Sequence, residues 1–148
     1  MRLVIQRVRE AQVAVEGRIT GQIGPGLLVL AGFAPTDNTA SLTWMCRKLL
    51  QLRIFGDENG QMNRSVADVG GQILIVSQFT LLADARKGNR PSYIGAAPPA
   101  VAEPLYQQFV AMVAAELGQP VPTGIFGADM QVSLLNDGPV TIVLDSPA

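Results

Sequence analysis

The stretch GQILIVSQFTL, residues 71–81, is an apolar run that passes directly into polar residues. A short apolar run bounded by glycine is typical of a β-strand that is buried on both faces of a sheet. The run from Leu27 to Phe33 has the same character and predicts a second buried strand. The residues that follow the first strand, 77–81, are then expected at a strand end, where folds commonly place functional groups.

Outward from this stretch, the pattern of apolar residues predicts further strands and two helices. Strands are predicted at 2–8, 11–16, 18–23, 121–126, 129–135 and 139–144, with a tight hairpin turn at Gly17-Arg18. One helix is expected from a cap at Thr36 or Asp37 to about Leu52, and the other from about Pro99 to Leu117. The polar residues 83–99 are expected to form the longest surface loop.

The order of these elements favours a particular fold class. Strands come in runs and do not alternate with helices, so the sequence predicts an α/β fold with a mostly antiparallel sheet or partial β-barrel, and the two main helices packed outside. Repeats, linkers and low-complexity tracts are absent from the sequence, so residues 1–148 are expected to form a single domain.

Composition excludes several kinds of chemistry. The chain has no histidine, which rules out Ser-His-Asp and Cys-His hydrolases and His-based zinc sites. The single cysteine, Cys46, excludes an intramolecular disulfide and lies among apolar residues of the first predicted helix, which indicates a core position. Charges interrupt the N-terminal segment too early for a signal peptide, and no membrane span is evident, so a cytoplasmic location is expected.

Charge is distributed unevenly along the chain. Residues 1–90 hold all eleven basic residues and seven acids, a net charge of +4, whereas residues 91–148 hold five acids and no base, a net charge of −5. Two basic clusters could bind phosphates or could be ordinary solvated surface. They are Arg2, Arg7 and Arg9, and Arg86, Lys87 and Arg90.

The segment Ser77-Gln78-Phe79-Thr80-Leu81 offers an amide side chain, two hydroxyls and several backbone N–H groups at a strand end. Such donors can polarise an ester carbonyl, and one well-placed donor contributes about 2.7–4 kcal/mol to transition-state stabilisation. Thr80 could instead act as a nucleophile, although no base is evident near it in sequence. The alternative is a strand end whose hydroxyls satisfy turn backbone groups.

The segment Asn136-Asp137-Gly138-Pro139-Val140-Thr141 lies between two apolar runs and predicts a hairpin turn. A functional use is also open, because glycine allows a ligand or another backbone to approach closely and proline fixes φ. A cis Gly138–Pro139 bond would form a rigid rim that senses shape without side-chain chemistry.

These two segments together resemble the paired signature motifs of the D-aminoacyl-tRNA deacylases. The similarity extends through most of the chain, in the segments Ile5-Gln6-Arg7-Val8, Gly26-Leu27-Leu28-Val29, Arg53-Ile54-Phe55, Arg90-Pro91-Ser92 and Ala128-Asp129-Met130-Gln131-Val132. The resemblance implies an enzyme that hydrolyses the ester between a D-amino acid, or glycine, and the 3′-terminal adenosine of tRNA. It also implies a homodimer that binds aminoacyl-tRNA acceptor ends, does not associate with a membrane and needs no metal or organic cofactor.

The resemblance also implies residue roles. Ser77, Gln78, Phe79 and Thr80 would be catalytic, with the backbone N–H groups of the last two near the scissile ester. Gly138 and Pro139, held by Arg7, would reach into the partner's pocket and exclude L-amino acids. Phe126, Met130 and Asn136 would bind substrate. Water would attack with help from the ribose 2′-hydroxyl, or Thr80 would be the nucleophile.

Two other functions remain open at this stage. A related deacylase that removes a small L-amino acid would require a trans Gly138–Pro139 bond. A non-catalytic module that binds RNA ends or D-amino acids would agree with the missing base.

Overall fold

A computed structural model describes residues 1–147. Its seven strands and two α-helices are β1 (Arg2–Val15), β2 (Arg18–Ile23), β3 (Gly26–Gly32), α1 (Thr39–Gln51), β4 (Phe55–Gly56), β5 (Met62–Arg64), β6 (Gln72–Ser77), α2 (Pro99–Leu117) and β7 (Gln131–Asp145). A single 3-10 turn, Phe79–Leu82, follows β6 almost directly.

The main sheet is built around β1. This strand pairs antiparallel with β2 and β3 along one edge and with β7 along the other, while β6 joins β3 in parallel. The sheet is therefore mixed but mostly antiparallel, and it curls into a half-barrel. The predicted fold class is confirmed.

Both faces of the sheet bury apolar side chains, which explains the continuous apolar runs. On β6, Ile73 and Ile75 join the core beneath the helices, and Leu74 and Val76 join a smaller core on the opposite face. The strand β3 divides its residues between the same two cores. As predicted, β3 and β6 are buried on both faces.

The helices cover the larger core. Helix α1 buries Leu42, Met45, Cys46 and Leu49, the face that the sequence pattern predicts. Its first residues are capped by Asn38, not by Thr36 or Asp37, because the Asn38 side chain accepts from the Ser41 N–H and the Ser41 hydroxyl accepts from the Asn38 N–H. Helix α2 has the predicted bounds.

Three strand predictions need correction. The predicted strands 2–8 and 11–16 are one strand, β1, with irregularities in its pairing with β7 near Val8. Residues 121–126 form no strand, and only Thr123 makes an isolated parallel bridge, to Ile75. The two predicted strands 129–135 and 139–144 are also one strand, β7.

The predicted hairpin at Asn136–Thr141 is therefore wrong. Gln6 pairs with Thr141 and Val8 with Asn136, so the four residues 137–140 lie opposite Arg7 alone. The extra residues leave the ladder as a large bulge, which local turn chemistry does not distinguish from a hairpin.

Candidate active site

The C-terminal ends of β3 and β6 open into a cavity of about 600 Å³. Its walls come from both strand ends, the segment 96–99, the first turns of α2 and the segment 126–132. Most of its lining side chains are apolar, and a volume in this range is typical of small-molecule sites. Of the predicted site residues, Ser77, Gln78, Phe79, Phe126 and Met130 line this cavity.

The segment 77–81 brings unpaired backbone donors to the cavity wall. The Gln78 N–H donates to the Ala31 carbonyl at 2.8 Å, which fixes the strand end against β3. The N–H of Leu81 donates to Gln78 O, but the N–H groups of Phe79 and Thr80 donate to no atom within residues 1–147. These are the orphan donors expected at the start of a helical turn, and they are available to a ligand oxygen.

The side chains of this segment differ in their surroundings. The Gln78 side-chain amide donates to the Thr80 hydroxyl oxygen, so the two side chains hold each other in place. The Phe79 ring is 56% exposed and meets the Tyr93 ring edge-on, with centroids 5.1 Å apart. Thr80 itself does not line the cavity.

The cavity contains no charged side chain and no group with the strength of a general base. Tyr93 is the only ionisable residue among those that line it. Cys46 lies elsewhere, buried under α1, where burial and then the charge of Glu116 raise the pKa of its thiol to about 11. Within residues 1–147, no cluster of three or more metal-binding side chains occurs.

A second aromatic group supports the floor of the cavity. The Tyr106 ring meets Phe126, a lining residue, with centroids 5.9 Å apart, and its hydroxyl donates to the Ile75 carbonyl at 2.8 Å. Burial raises the pKa of Tyr106 to about 12. This tyrosine therefore connects α2, β6 and the wall of the cavity as a neutral hydrogen-bond donor.

The bulge of residues 137–140 is held by Arg7. The guanidinium donates to the carbonyls of Asp137 at 2.8 Å and Ile54 at 2.6 Å. The Asn136 side chain closes the base of the bulge, because its Oδ1 accepts from Val140 N–H at 2.9 Å and its amide donates to the Thr141 hydroxyl at 3.2 Å. The Gly138–Pro139 peptide bond is cis.

The two predicted motifs do not meet within one chain. None of the bulge residues, nor Arg7, nor Asn136, lines the cavity. The bulge leaves β7, whose second edge has no partner strand within the described residues. The apolar side chains of Leu135 and Val143, at 51% and 60% exposure, lie on the same strand.

The arginines of the first predicted basic cluster are paired with other groups of the same chain. Arg2 pairs with Asp145 at 2.7 Å and also donates to the Leu81 carbonyl, which ties the end of the 77–81 segment to β7. The hydrogen bond to Asp145 raises the pKa of Arg2 and lowers that of the aspartate. Arg9 lies 3.5 Å from the Asp137 carboxylate. The arginines of β1 thus pair with the two aspartates of β7.

Several lining residues were not predicted from the sequence. Tyr93 and the segment 96–99 come from the loop, and Gly32 ends β3 where a Cβ would lie 2.9 Å from the Gln78 carbonyl. The close contact at Gly32 explains why the strand ends in glycine beside the first motif. The length of the loop was a signal that it carries functional residues, but it did not indicate which ones.

Comparisons with known proteins agree on one family. The family model described as D-Tyr-tRNA(Tyr) deacylase matches residues 4–145. A D-aminoacyl-tRNA deacylase of Dechloromonas aromatica strain RCB is 60% identical over 99% of this chain and 97% of its own. One from Chlorobaculum parvum is 60% identical over 99% of each chain.

Solved structures show the same fold. A structure described as the c-Myc DNA unwinding element binding protein is 44% identical over the full length of both chains, with a TM-score of 0.92. Another, described as a probable eukaryotic D-amino acid tRNA deacylase, is 20% identical with a TM-score of 0.82 and covers 97% of each chain. No helix within residues 1–147 has the length and apolar character needed to cross a membrane.

Proposed function

This chain belongs to the D-Tyr-tRNA(Tyr) deacylase family, and we propose that it hydrolyses the ester between a D-amino acid, or glycine, and the 3′-terminal adenosine of tRNA. Such a protein is an enzyme, a carboxylic ester hydrolase. The substrate would be the aminoacyl end of a tRNA. The single observation that carries this assignment is a cavity that combines unpaired backbone donors with apolar walls and lacks any strong base.

The chemistry follows from positioning. Phe126 and Met130 would hold the terminal adenosine, and the free N–H groups of Phe79 and Thr80 would donate to the ester carbonyl oxygen. Water adds to the carbonyl carbon, the bond to the ribose oxygen breaks, and that oxygen takes a proton. As the family resemblance implies, the ribose 2′-hydroxyl would assist the proton transfers, and the cavity lining includes no carboxylate, lysine or histidine. Catalysis would then come from orientation of the water and the ester and from polarisation of the carbonyl, which contributes about 2.7–4 kcal/mol for one well-placed donor.

Chirality would be selected by the bulge of a second subunit. Gly138 and Pro139 do not line the cavity of their own chain, but they project from an edge strand that also exposes apolar side chains. Exposed apolar edges of this kind are commonly covered by another chain. In a homodimer, main-chain atoms of the partner's bulge would leave room for a D side chain and collide with an L side chain. Arg7 would position the bulge. Asn136, which the resemblance assigns to substrate binding, would also position it, because its side chain holds Val140 and does not line the cavity of its own chain.

The activity is tested by single-turnover deacylation of D-tyrosyl-tRNA and L-tyrosyl-tRNA with purified protein. Rapid loss of the D ester with the L ester spared supports the proposal. Cleavage of both esters would contradict the chirality filter. Cleavage of neither would favour a module that binds RNA ends without turnover.

The contribution of the second subunit is tested by mixing two defective chains. One chain carries Gly138→Ala, so its bulge is defective and its cavity is unchanged. The other chain carries Ala128→Trp, which fills its cavity and leaves its bulge unchanged. If the bulge acts in the partner's site, mixed dimers regain one working site, and a statistical mixture recovers about a quarter of the wild-type rate. If the bulge acts in its own chain, the mixture stays as inactive as either variant alone.

A further inference from the structure

A short basic loop stands at the mouth of the cavity. Asp84 and Ser92 form an isolated bridge, in which each N–H donates to the other's carbonyl at 2.8 Å. Residues 85–91 project between these two points, and we call them the tongue. Because Tyr93 lines the cavity and directly follows the bridge, the base of the tongue is fixed at the cavity rim.

The tongue carries cations that the fold does not use. Arg86 is held by Asp84, with a contact of 2.6 Å. Lys87 and Arg90 are exposed and make no ion pair within residues 1–147. They differ in this from Arg2, Arg7 and Arg9, which are all paired with carboxylates. No basic residue follows Arg90 in the sequence, so the tongue supplies the last cations of the chain.

The size of the cavity leaves most of a polynucleotide outside it. About 600 Å³ accommodates a nucleoside and its amino acid, so the rest of the tRNA must leave across the rim. Each nucleotide beyond the first carries a phosphate, and lysine and arginine side chains bind phosphates through charge and counterion release. Charge complementarity at this point of exit favours RNA as the occupant.

We propose that Lys87 and Arg90 on the tongue bind backbone phosphates of the tRNA acceptor end as it leaves the cavity. This inference rests on the proposed function for the identity of the ligand. It assigns the tongue a role in affinity for the polynucleotide, with no part in the chemistry of the ester. Phosphate contacts of this kind fix register and carry no sequence information.

The test compares Lys87→Gln/Arg90→Gln with a control of equal charge, Arg47→Gln/Lys48→Gln on α1. The affinity for uncharged tRNA is measured between low and high KCl. The tongue variant should bind about tenfold more weakly at low salt, and its log–log salt slope should flatten by about 1.4–1.8, the amount for two phosphate contacts. The control should keep the wild-type slope.

A second readout separates this inference from the proposed activity. For the tongue variant, kcat/KM should fall at least tenfold further on D-tyrosyl-tRNA than on D-tyrosyl-adenosine, which lacks phosphates. Equal losses on the two substrates, or an unchanged salt slope, would overturn the inference, as would an equal loss of affinity in the control. If wild-type protein cleaves neither ester, the proposed activity fails, and the binding comparison alone still decides the role of the tongue.

Discussion

The two signature segments of this molecule are built in opposite ways. The segment 77–81 continues a strand with two buried faces and delivers free N–H groups to a cavity of its own chain. The bulge 137–140 leaves an edge strand and reaches no cavity of its own chain. The segment 77–81 presents backbone N–H donors from a fixed strand end. The bulge presents extra backbone that projects from the ladder.

Neither segment brings a charged side chain to the cavity. Rigid backbone groups must be held in place by other residues, and each segment has its own contacts of this kind. Tyr106 and the β3 strand fix the first segment, whereas Arg7 fixes the second. Substitutions at these supporting residues should therefore affect the two segments separately.

The largest effect is expected for Gly138→Ala. A Cβ at this position would lie 2.8 Å from the Val140 nitrogen and 3.3 Å from the Arg7 guanidinium, with φ at +148°, so the bulge must shift. Displacement of about 1 Å at a positioning group can cost about 100-fold in rate. The measurement is single-turnover cleavage of D-tyrosyl-tRNA. Gly56→Ala is the control, since a Cβ there meets nothing within 4 Å. Wild-type rates for Gly138→Ala would remove the bulge from the site.

A smaller effect is expected for Arg7→Lys. An ammonium group cannot reproduce the fork that donates to both Asp137 and Ile54, so the bulge should loosen. We expect about a tenfold loss in discrimination between D and L esters, together with about 1.5–3 kcal/mol of lost stability. Arg9→Lys is the matched control, because Arg9 also approaches Asp137 but its side chain is 72% exposed, against 17% for Arg7. Equal effects of the two substitutions would contradict the positioning role.

A still smaller effect is expected for Thr80→Ala. Its N–H remains after the substitution, and its hydroxyl only accepts from the Gln78 side chain. Turnover should fall by less than about tenfold, the scale of one weakened neutral hydrogen bond. A collapse in turnover with unchanged folding and tRNA binding would instead support a Thr80 nucleophile. Ser77→Ala, in the same segment, shows whether any loss is specific to Thr80.

The smallest effect on turnover is expected for Tyr106→Phe, which acts on stability. Loss of the bond to the Ile75 carbonyl should lower the free energy of unfolding by about 1–3 kcal/mol at neutral pH. The pKa of Tyr106 is raised to about 12 from 10, so its stabilising contribution is present below pH 10 and is lost as pH rises through 12. Thermal denaturation between pH 7 and 11 should show a shallower alkaline decline in the variant than in wild type. An equally steep decline would contradict this role of Tyr106 and would show that other groups, such as Cys46 with its raised pKa, cause the pH dependence.

The sequence predicts the structure correctly where its signal is local or periodic. The buried strands β3 and β6 and the bounds of α2 follow from apolar runs and from helical spacing. It failed at residues 136–141, because Asn-Asp-Gly-Pro satisfies a hairpin and a bulge equally well. The bulge is decided by pairing with β1, over 120 residues away in the chain, and by Arg7.

The residues that line the cavity also divide into those that the sequence predicts and those that it does not. The sequence located Ser77 and Gln78 at a strand end, and the family resemblance located Phe126 and Met130. Tyr93 and the segment 96–99 could not be found, because a loop's path over the sheet depends on contacts such as the Ala97 N–H bond to the Phe33 carbonyl. The sequence alone also does not show that the bulge lies apart from the cavity of its own chain.

The pairing of the first strand with the last has a consequence for how the protein is made. Among the described strands, the central strand β1 comes first in chain order and its neighbour β7 comes last. Pairings between such distant segments are slow to form, because closing a long loop costs conformational entropy before any stabilising contact is made. One edge of β1 thus stays unpaired until β7 has been synthesised, and the bulge takes its shape only when β7 docks. A nascent chain therefore cannot display the bulge beside β1 before β7 is available.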